Sequence, residues 1–247
     1  MPCVRSDSCR GDDAVDREAL LKEFARGAAL IFSNAEQLYS EAEILGKSGA
    51  FARCVFLHQI SMEECAKVDM IGATATSILA GESFDHSRVV SAFRSHRAKN
   101  HANAYMAAAT GEEKEARDRG DWDAALATFE QFKAQFHQQM NTTKNDALYV
   151  NYDGRRFSAP LVTEELACQY QALNGHFLQL ASGYVRLLKR IETEEGAFED
   201  WVKSFREMAE SLRKSMPDDP MAAMDLLLAE MGKVFHALHP NHPEDSK

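Results

Sequence analysis

A carboxylate lies on the core-facing side of a predicted helix. Glu64 falls within a stripe whose members recur at alternating steps of four and three residues, the spacing of one helix face. The stripe consists of Ala50, Cys54, Leu57, Ser61, Glu64, Val68, Ile71, Ala75 and Ile78. Because a buried carboxylate is costly unless it is paired or hydrogen-bonded, the pattern predicts a partner for Glu64 inside the fold.

The next predicted helix, which starts at Ser83 or Asp85, supplies candidate partners. It begins with an apolar face but loses its apolar character at mid-length. Its next inward positions by helical periodicity are His96, Arg97 and Asn100. In an up-and-down bundle, Glu64 is therefore expected to face one of these three, with Lys67 and Lys99 at the flanks.

This constellation has two interpretations. A buried ion-pair cluster would satisfy every charge and would serve the fold alone. The other interpretation is an active site. A His can act as acid or base near neutral pH, and an Arg or Lys can stabilise charge on a phosphate. The second set suits cleavage of RNA through its own 2′-hydroxyl, a reaction for which we predict neither a metal nor another cofactor. Cys54 and His58, one helical turn apart, are interpreted as packed core residues rather than ligands.

The elements that must position these residues are almost all helical. Apolar periodicity predicts helices over residues 17–46, from 50 to about 81, from 83 or 85 to about 107, over 121–141 and from Thr163 to about 193. The charge-rich stretch 111–120 is predicted to be a solvated connector. Asp153-Gly154 marks a short hairpin or ordered loop near 146–160. The fold class is predicted to be all-α, an up-and-down bundle over 17–195.

Both ends of the chain are predicted to lie outside this bundle. Residues 1–16 form a polar tail without structure, residues 196–240 a pair of helices packed on the bundle or on a second subunit, and 241–247 a final tail.

Bulk properties restrict the class of function. The chain has 247 residues and a net charge of -10, so contact with nucleic acid is expected only at a local basic spot. The run Arg94–His101 is such a spot, with three Arg or Lys and two His but no acid. No apolar run long enough to span a membrane and no signal peptide is present, and the five cysteines are odd in number. These features predict a reduced, cytoplasmic protein without membrane contact.

Three motifs, in this order, resemble the AbiV family of bacterial abortive-infection proteins, a branch of the HEPN superfamily. Glu63-Glu64-Cys65-Ala66-Lys67 resembles the pattern Glu-Glu-(Leu)-Gly-Lys, with Ala66 in place of Gly. His96-Arg97-Ala98-Lys99 resembles His-x-x-Lys. Lys144-Asn145-Asp146-Ala147-Leu148-Tyr149-Val150-Asn151 resembles Lys-x-x-x-Leu-Tyr-Val-Asp, with Asn at the last position. The resemblance covers about residues 17–193.

The resemblance implies a helical HEPN bundle, often a homodimer, that stops phage propagation. Many HEPN proteins are metal-independent ribonucleases with an Arg-x(4–6)-His motif, whose upper spacing Arg94 and His101 meet. On an unbroken helix these two share one face about 100° from the apolar stripe. We therefore assign catalysis to Arg94 and His101, or alternatively to His96. The residues expected to bind RNA or phosphate are Arg97, Lys99, Lys144 and Tyr149. Those expected to orient them are Glu64, Lys67 and Asn100.

An effector without catalytic activity is the alternative hypothesis. It would bind a phage protein or a component of the translation machinery, and the polar cluster would then be purely structural. The acidic net charge favours this alternative slightly, because it repels long RNA outside the basic spot.

Overall fold

The structure, a computed structural model, describes residues 9–80, 85–107, 109–193 and 197–215, together with Leu226 and Glu230. The predicted all-α fold is confirmed, and so is the short hairpin. The elements in chain order are α1 (Cys9–Lys47), α2 (Phe51–Leu79), α3 (His86–Arg94), α4 (His96–Met106), α5 (Gly111–Asp118), α6 (Trp122–Leu148), β1 (Asn151–Tyr152), β2 (Phe157–Ser158), α7 (Glu164–Thr193) and α8 (Ala197–Ser215).

The chain divides into two compact units. The first comprises Met1–Ala25, Ala73–Phe84 and Leu188–Lys247, and the second Arg26–Gly72 and Asp85–Leu187. Every residue of the predicted site belongs to the second unit. The described core of the first unit is formed by Leu21, Ala25, Ala75, Ile78, Leu79, Leu188, Trp201 and Phe205.

The part of helix α2 that precedes Ala73 is the centre of the second unit. Its buried residues point in all directions around the helix and include His58, Ser61, Met62, Glu63 and Val68. A helix that is buried all round must have neighbours on several sides, and hydrogen bonds identify them. Polar contacts join α2 to α1, α4, α6 and α7, through the pairs Ser61 to Ala35, Asn103 to Met62, Gln59 to Met140 and Asn174 to His58.

The helix predicted from Ser83 or Asp85 to about Ala107 is wrong as a single element. The chain is extended at Ser95, with φ -90° and ψ 112°, and this residue separates α3 from α4. The Ser95 hydroxyl accepts a hydrogen bond from the backbone N–H of Ala98 and so caps α4. Because the helical register is lost at Ser95, periodicity cannot relate Arg94 to His101, and the predicted shared face is not supported.

The charged connector at 111–120 is also corrected. Residues Gly111–Asp118 form α5, and the Thr110 hydroxyl caps it by accepting from the backbone N–H of Glu113. Glu113 is buried and pairs with Arg117 one turn later. An amphipathic helix, in which a buried glutamate pairs with a half-exposed arginine, therefore takes the place of a solvated loop.

Helix boundaries differ from the prediction at two further places. Helix α1 begins at Cys9, inside the segment 1–16 that was expected to lack structure. Helix α6 continues to Leu148, seven residues beyond its predicted end, and so carries Lys144. Of the predicted pair over 196–240, α8 is described, whereas most of the second helix, like the tail 241–247, lies outside the described residues.

The hairpin follows α6 directly. Its two strands pair antiparallel, with Asn151 opposite Ser158 and Tyr152 opposite Phe157. The turn contains Gly154 at φ +93°, a conformation that L side chains rarely adopt. The Asp153 carboxylate accepts from the backbone N–H groups of Arg155 and Arg156 and fixes the turn.

Candidate functional site

The buried carboxylate that meets the basic segment is that of Glu63. Its side chain is 7% exposed and lies among three basic side chains from two other helices. Lys99 of α4 places Nζ 2.6 Å from Oε2, and Lys144 of α6 places Nζ 2.9 Å from Oε1. Nδ1 of His96, the first residue of α4, lies 2.7 Å from Oε2. Glu63 therefore links α2 to α4 and α6.

The prediction that Glu64 meets the basic segment is therefore wrong by one position. Glu64 forms its ion pair with Lys67, one turn later on the same helix, and both side chains are partly exposed. Apolar periodicity indicates one buried face, whereas α2 is surrounded by neighbours and buries Glu63 against α4 and α6. Lys67 was expected to orient the catalytic residues. Among the described contacts, it pairs only with Glu64.

His96 joins the buried carboxylate to the surface. Its side chain is 58% exposed, although Nδ1 lies within hydrogen-bonding distance of both Glu63 oxygens. A carboxylate at Nδ1 selects the tautomer with the proton on that nitrogen, which leaves the Nε2 lone pair available. The Lys144 ammonium lies 3.2 Å from the same Nδ1. The arrangement is an oriented imidazole beside a fixed positive charge.

The electrostatic balance favours an ionised Glu63. Burial by itself would raise the pKa of the Glu63 carboxyl, but hydrogen bonds from Lys99 and Lys144 outweigh it and lower the pKa below its ordinary value. One carboxylate and two ammonium groups leave the cluster with a surplus positive charge even when His96 is neutral. The cluster can therefore attract an anion to the exposed edge of His96.

A shallow cleft opens beside this cluster, and buried amides hold its walls. The Gln59 side chain donates to the backbone carbonyl of Met140, and the Asn103 side chain donates to that of Met62. These bonds fix α2 against α6 and α4. The cleft is lined by Gln59, Met62, Glu63, His96, Asn100, Asn103, Met140, Asn141 and Lys144.

A second pair of imidazoles lies further along α4 and α6. The rings of His101 and His137 meet edge to face, with their centroids 5.8 Å apart. The buried Asn100 amide lies 3.1 Å from Nδ1 of His137. Burial, with Arg97, Lys133 and His137 nearby, lowers the pKa of His101. This shift favours the neutral imidazole, which is the form that accepts a proton.

The other predicted site residues lie at the surface or at the carboxylate. Arg94 ends α3 and Arg97 lies in the first turn of α4, both with exposed side chains. Tyr149, just after α6, is 56% exposed. Lys99 is buried, so its ammonium serves Glu63 rather than the surface.

Three residues of the site had no signal in the apolar periodicity. Glu63 stands beside the stripe of α2, and only its place in the Glu-Glu motif marked it. Asn103 was hidden because the register of α4 was extrapolated through Ser95. His137 lies outside the predicted apolar face of α6 and has no motif, so its contact with His101 depends on the packing of α4 against α6.

Within the described ranges, no group of three or more His, Cys, Asp or Glu side chains is placed to hold a metal ion. In the same part of the chain, no helix is both long and apolar enough to cross a membrane.

Comparison with known proteins places this site in a family. An uncharacterised protein of Sinorhizobium fredii, y4gJ, is 32% identical over 128 residues, which are 51% of this chain and 66% of that protein. The chain thus matches just under two thirds of that relative's length. No solved structure gives a significant match. The model of the AbiV family of HEPN proteins matches residues 23–178, which include Glu63, His96, His101 and Lys144. Because the match covers more than half of the chain, the protein belongs to the AbiV family of abortive-infection proteins, within the HEPN superfamily.

Proposed function

We propose that this protein is an anti-phage effector that cleaves RNA through the 2′-hydroxyl of the RNA itself, in the bacterial cytoplasm. The observation that carries the proposal is the exposed His96 imidazole, held at Nδ1 by the buried Glu63 carboxylate and flanked by Lys144. Membership of the AbiV family supports the role in abortive infection.

In the proposed reaction, His96 is the general base. Nε2 takes the proton of a 2′-hydroxyl, and the 2′-oxygen then attacks the adjacent phosphorus. The bond from phosphorus to the 5′-oxygen breaks, and that oxygen leaves after it gains a proton from an acid or from water. The products end in a 2′,3′-cyclic phosphate and a 5′-hydroxyl. Glu63 stabilises the imidazolium that forms at His96, as a positioning residue.

The positive charges near His96 have the second role in this proposal. The charge that develops on the phosphate oxygens is stabilised by Lys144 and by Arg97, the residue next to His96. Lys99, which is buried against Glu63, keeps that carboxylate ionised and does not reach the RNA.

Arg94 and His101 form the competing catalytic pair, and they match the HEPN motif. His101 lies five residues after His96, about 7.5 Å further along the axis of α4. In a homodimer, the pair would act in a cleft between two copies. The two assignments predict different sensitive residues, so substitution of one histidine at a time separates them.

The test is cleavage of single-stranded RNA by the purified chain, with a chelator present. We expect His96→Asn to lower the rate by a factor of about 100 or more, as removal of a general base does. A 2′-deoxy nucleotide at the cleaved position should block the reaction. His176→Gln is the matched control, because His176 is exposed on α7 and belongs to none of the three motifs. Equal rates for the unaltered chain, His96→Asn and His101→Ala would refute RNA cleavage by either histidine.

A binding effector without catalysis is the second candidate, and the burial of Glu63 favours it. A carboxylate with three basic partners is sufficiently satisfied to serve the fold alone. Such a protein would bind a phage protein or the translation machinery. It would stop phage growth in cells equally well with His96→Asn and with the unaltered chain, while His96→Asn would abolish protection by a ribonuclease.

A further inference from the structure

We propose that the hairpin over residues 149–161 is a binding platform on which the bases of single-stranded RNA stack. This inference rests on the proposed action on RNA and adds where the RNA is held. The aromatic side chains of this hairpin are exposed in the structure.

The hairpin carries an unusual density of exposed apolar side chains. Five large apolar residues within 13 positions are between 56% and 88% exposed: Tyr149, Val150, Tyr152, Phe157 and Leu161. Exposed apolar side chains concentrated in one short segment of a protein surface indicate a binding site. Three of the five are aromatic, which favours a ligand with flat apolar faces.

Two of the aromatic rings are already stacked. Tyr152 and Phe157 are directly opposite each other in the ladder, and their centroids lie 4.6 Å apart with 28° between the ring planes. Hydrogen bonds to Asp153 and the positive φ of Gly154 define the turn that joins the strands, so the hairpin itself brings the two rings together. A base can then extend a stack that already exists.

The charge of the hairpin complements a polyanion. Arg155 and Arg156 occupy the turn with exposed side chains, and neither guanidinium forms an ion pair with the described part of the chain. The only acid of the turn, Asp153, is bound to backbone N–H groups. These two positive charges stand out on a chain whose net charge is -10. Aromatic faces next to free arginines are the combination that binds single-stranded nucleic acid.

The hairpin is also continuous with the candidate active site. Helix α6 carries Lys144 in its penultimate turn and ends at Leu148, and Tyr149 follows at once. The Asn151 side chain donates to the Asp146 carboxylate and so ties the first strand back to this helix end. RNA bound on the rings therefore passes along the same helix end that carries the Lys144 ammonium.

The test is binding of a fluorescein-labelled, adenine-rich single strand of about 12 nucleotides, the size that such platforms cover, measured by anisotropy. All variants are made in the full chain with His96→Asn, and the strand carries 2′-O-methyl groups, so that neither candidate catalytic histidine can cleave it. Tyr152→Leu with Phe157→Leu removes both rings but retains apolar area. We expect it to weaken binding by about 5- to 150-fold, the range for loss of one stacked base. Tyr152→Phe with Phe157→Tyr keeps both rings and should bind normally.

Two controls separate base stacking from non-specific apolar contact and from attraction by charge. Leu126→Ala removes an exposed apolar side chain from α6, outside the hairpin, and it should leave binding unchanged. Arg155→Gln with Arg156→Gln should weaken binding and reduce its dependence on salt. Arg119→Gln changes an exposed arginine just after α5 and should do neither.

Several results would overturn the platform. It fails if the double leucine variant binds RNA normally, or if the His96→Asn chain binds no single-stranded RNA. It also fails if the double leucine variant has a smaller mass by light scattering than its parent, since the patch would then be an interface between two copies. If RNA binds through the rings but the unaltered chain does not cleave it, the proposed function is wrong and the platform stands. If the chain cleaves RNA and the ring variants keep the same KM, cleavage stands and the platform is wrong.

Discussion

Replacement of Glu63 by Gln should destabilise the second unit strongly, because Glu63 is the carboxylate that pairs with three basic side chains in the described part of the chain. The cost comes mainly from Lys99, whose side chain is 7% exposed, and less from Lys144, which is 15% exposed. Removal of one partner from a buried ion pair costs about 3–5 kcal/mol. Since Gln still accepts one hydrogen bond and His96 is largely exposed, we expect a loss of about 3 kcal/mol in the free energy of unfolding.

The neighbouring carboxylate provides the matched control. Glu64→Gln breaks the ion pair with Lys67, which lies on the same helix and is partly exposed, so we expect a loss of about 1 kcal/mol or less. Urea unfolding at pH 7, followed by circular dichroism at 222 nm, measures both variants. Equal losses for the two glutamates would refute the assignment of the buried charge to Glu63.

A second substitution tests the mechanism of the loss. Lys99→Met removes the ammonium that Glu63→Gln leaves unpaired, so the double variant should be more stable than Glu63→Gln alone.

The stabilisation by Glu63 should depend on pH with a defined sign. The pKa of Glu63 in the folded chain is lowered, so its contribution is present above the ordinary value of 4.5 and is lost as the pH falls through the folded pKa. The gap between the unaltered chain and Glu63→Gln should therefore narrow in acid.

Three further predictions concern other buried groups. Burial lowers the pKa of His58 to about 4 from 6.5, so the free energy of unfolding should fall by about 3 kcal/mol as the pH drops from 6.5 to 4. Urea titrations at several pH values should show a smaller fall for His58→Gln. Burial raises the pKa of Asp69 to about 6 from 3.8. Asp69→Asn should therefore raise the free energy of unfolding by about 1–3 kcal/mol at pH 7 and leave it unchanged below pH 3.8. An unchanged urea midpoint at pH 7 would contradict this. Ser95→Ala removes the cap of α4 and should cost about 1 kcal/mol, measured by thermal unfolding, whereas Ser95→Asp should restore it.

The long helices could be predicted from sequence because their apolar periodicity is strong. In α7 the spacing continues over more than seven turns, and its predicted cap at Thr163 accepts a hydrogen bond from Leu166 in the structure. The predicted hairpin was marked by Asp153-Gly154, whose turn requires the positive φ that glycine adopts. In each case the information is local in the sequence.

The site could be predicted only in part, because it depends on packing between helices. Periodicity identifies a face, but α2 has neighbours on several sides, so the charge that mattered was Glu63 rather than Glu64. Extrapolation along one helix failed at Ser95, although serine is a preferred cap and carried the signal of a break. His137 approaches His101 from another helix, and nothing in the sequence near either residue indicates that contact.

The different burial of Glu63 and His96 decides which substitutions can test chemistry. A change at Glu63 disturbs the packing of α2 against α4 and α6, so a loss of activity in Glu63→Ala would not separate catalysis from folding. His96 is 58% exposed, and its removal leaves Glu63 with both lysines, so the fold should persist. Activity lost in His96→Asn at unchanged urea midpoint would therefore reflect chemistry. Activity retained there but lost in His101→Ala would assign the reaction to the Arg94 and His101 pair, and the Glu63 cluster would then act only to hold α4 in place.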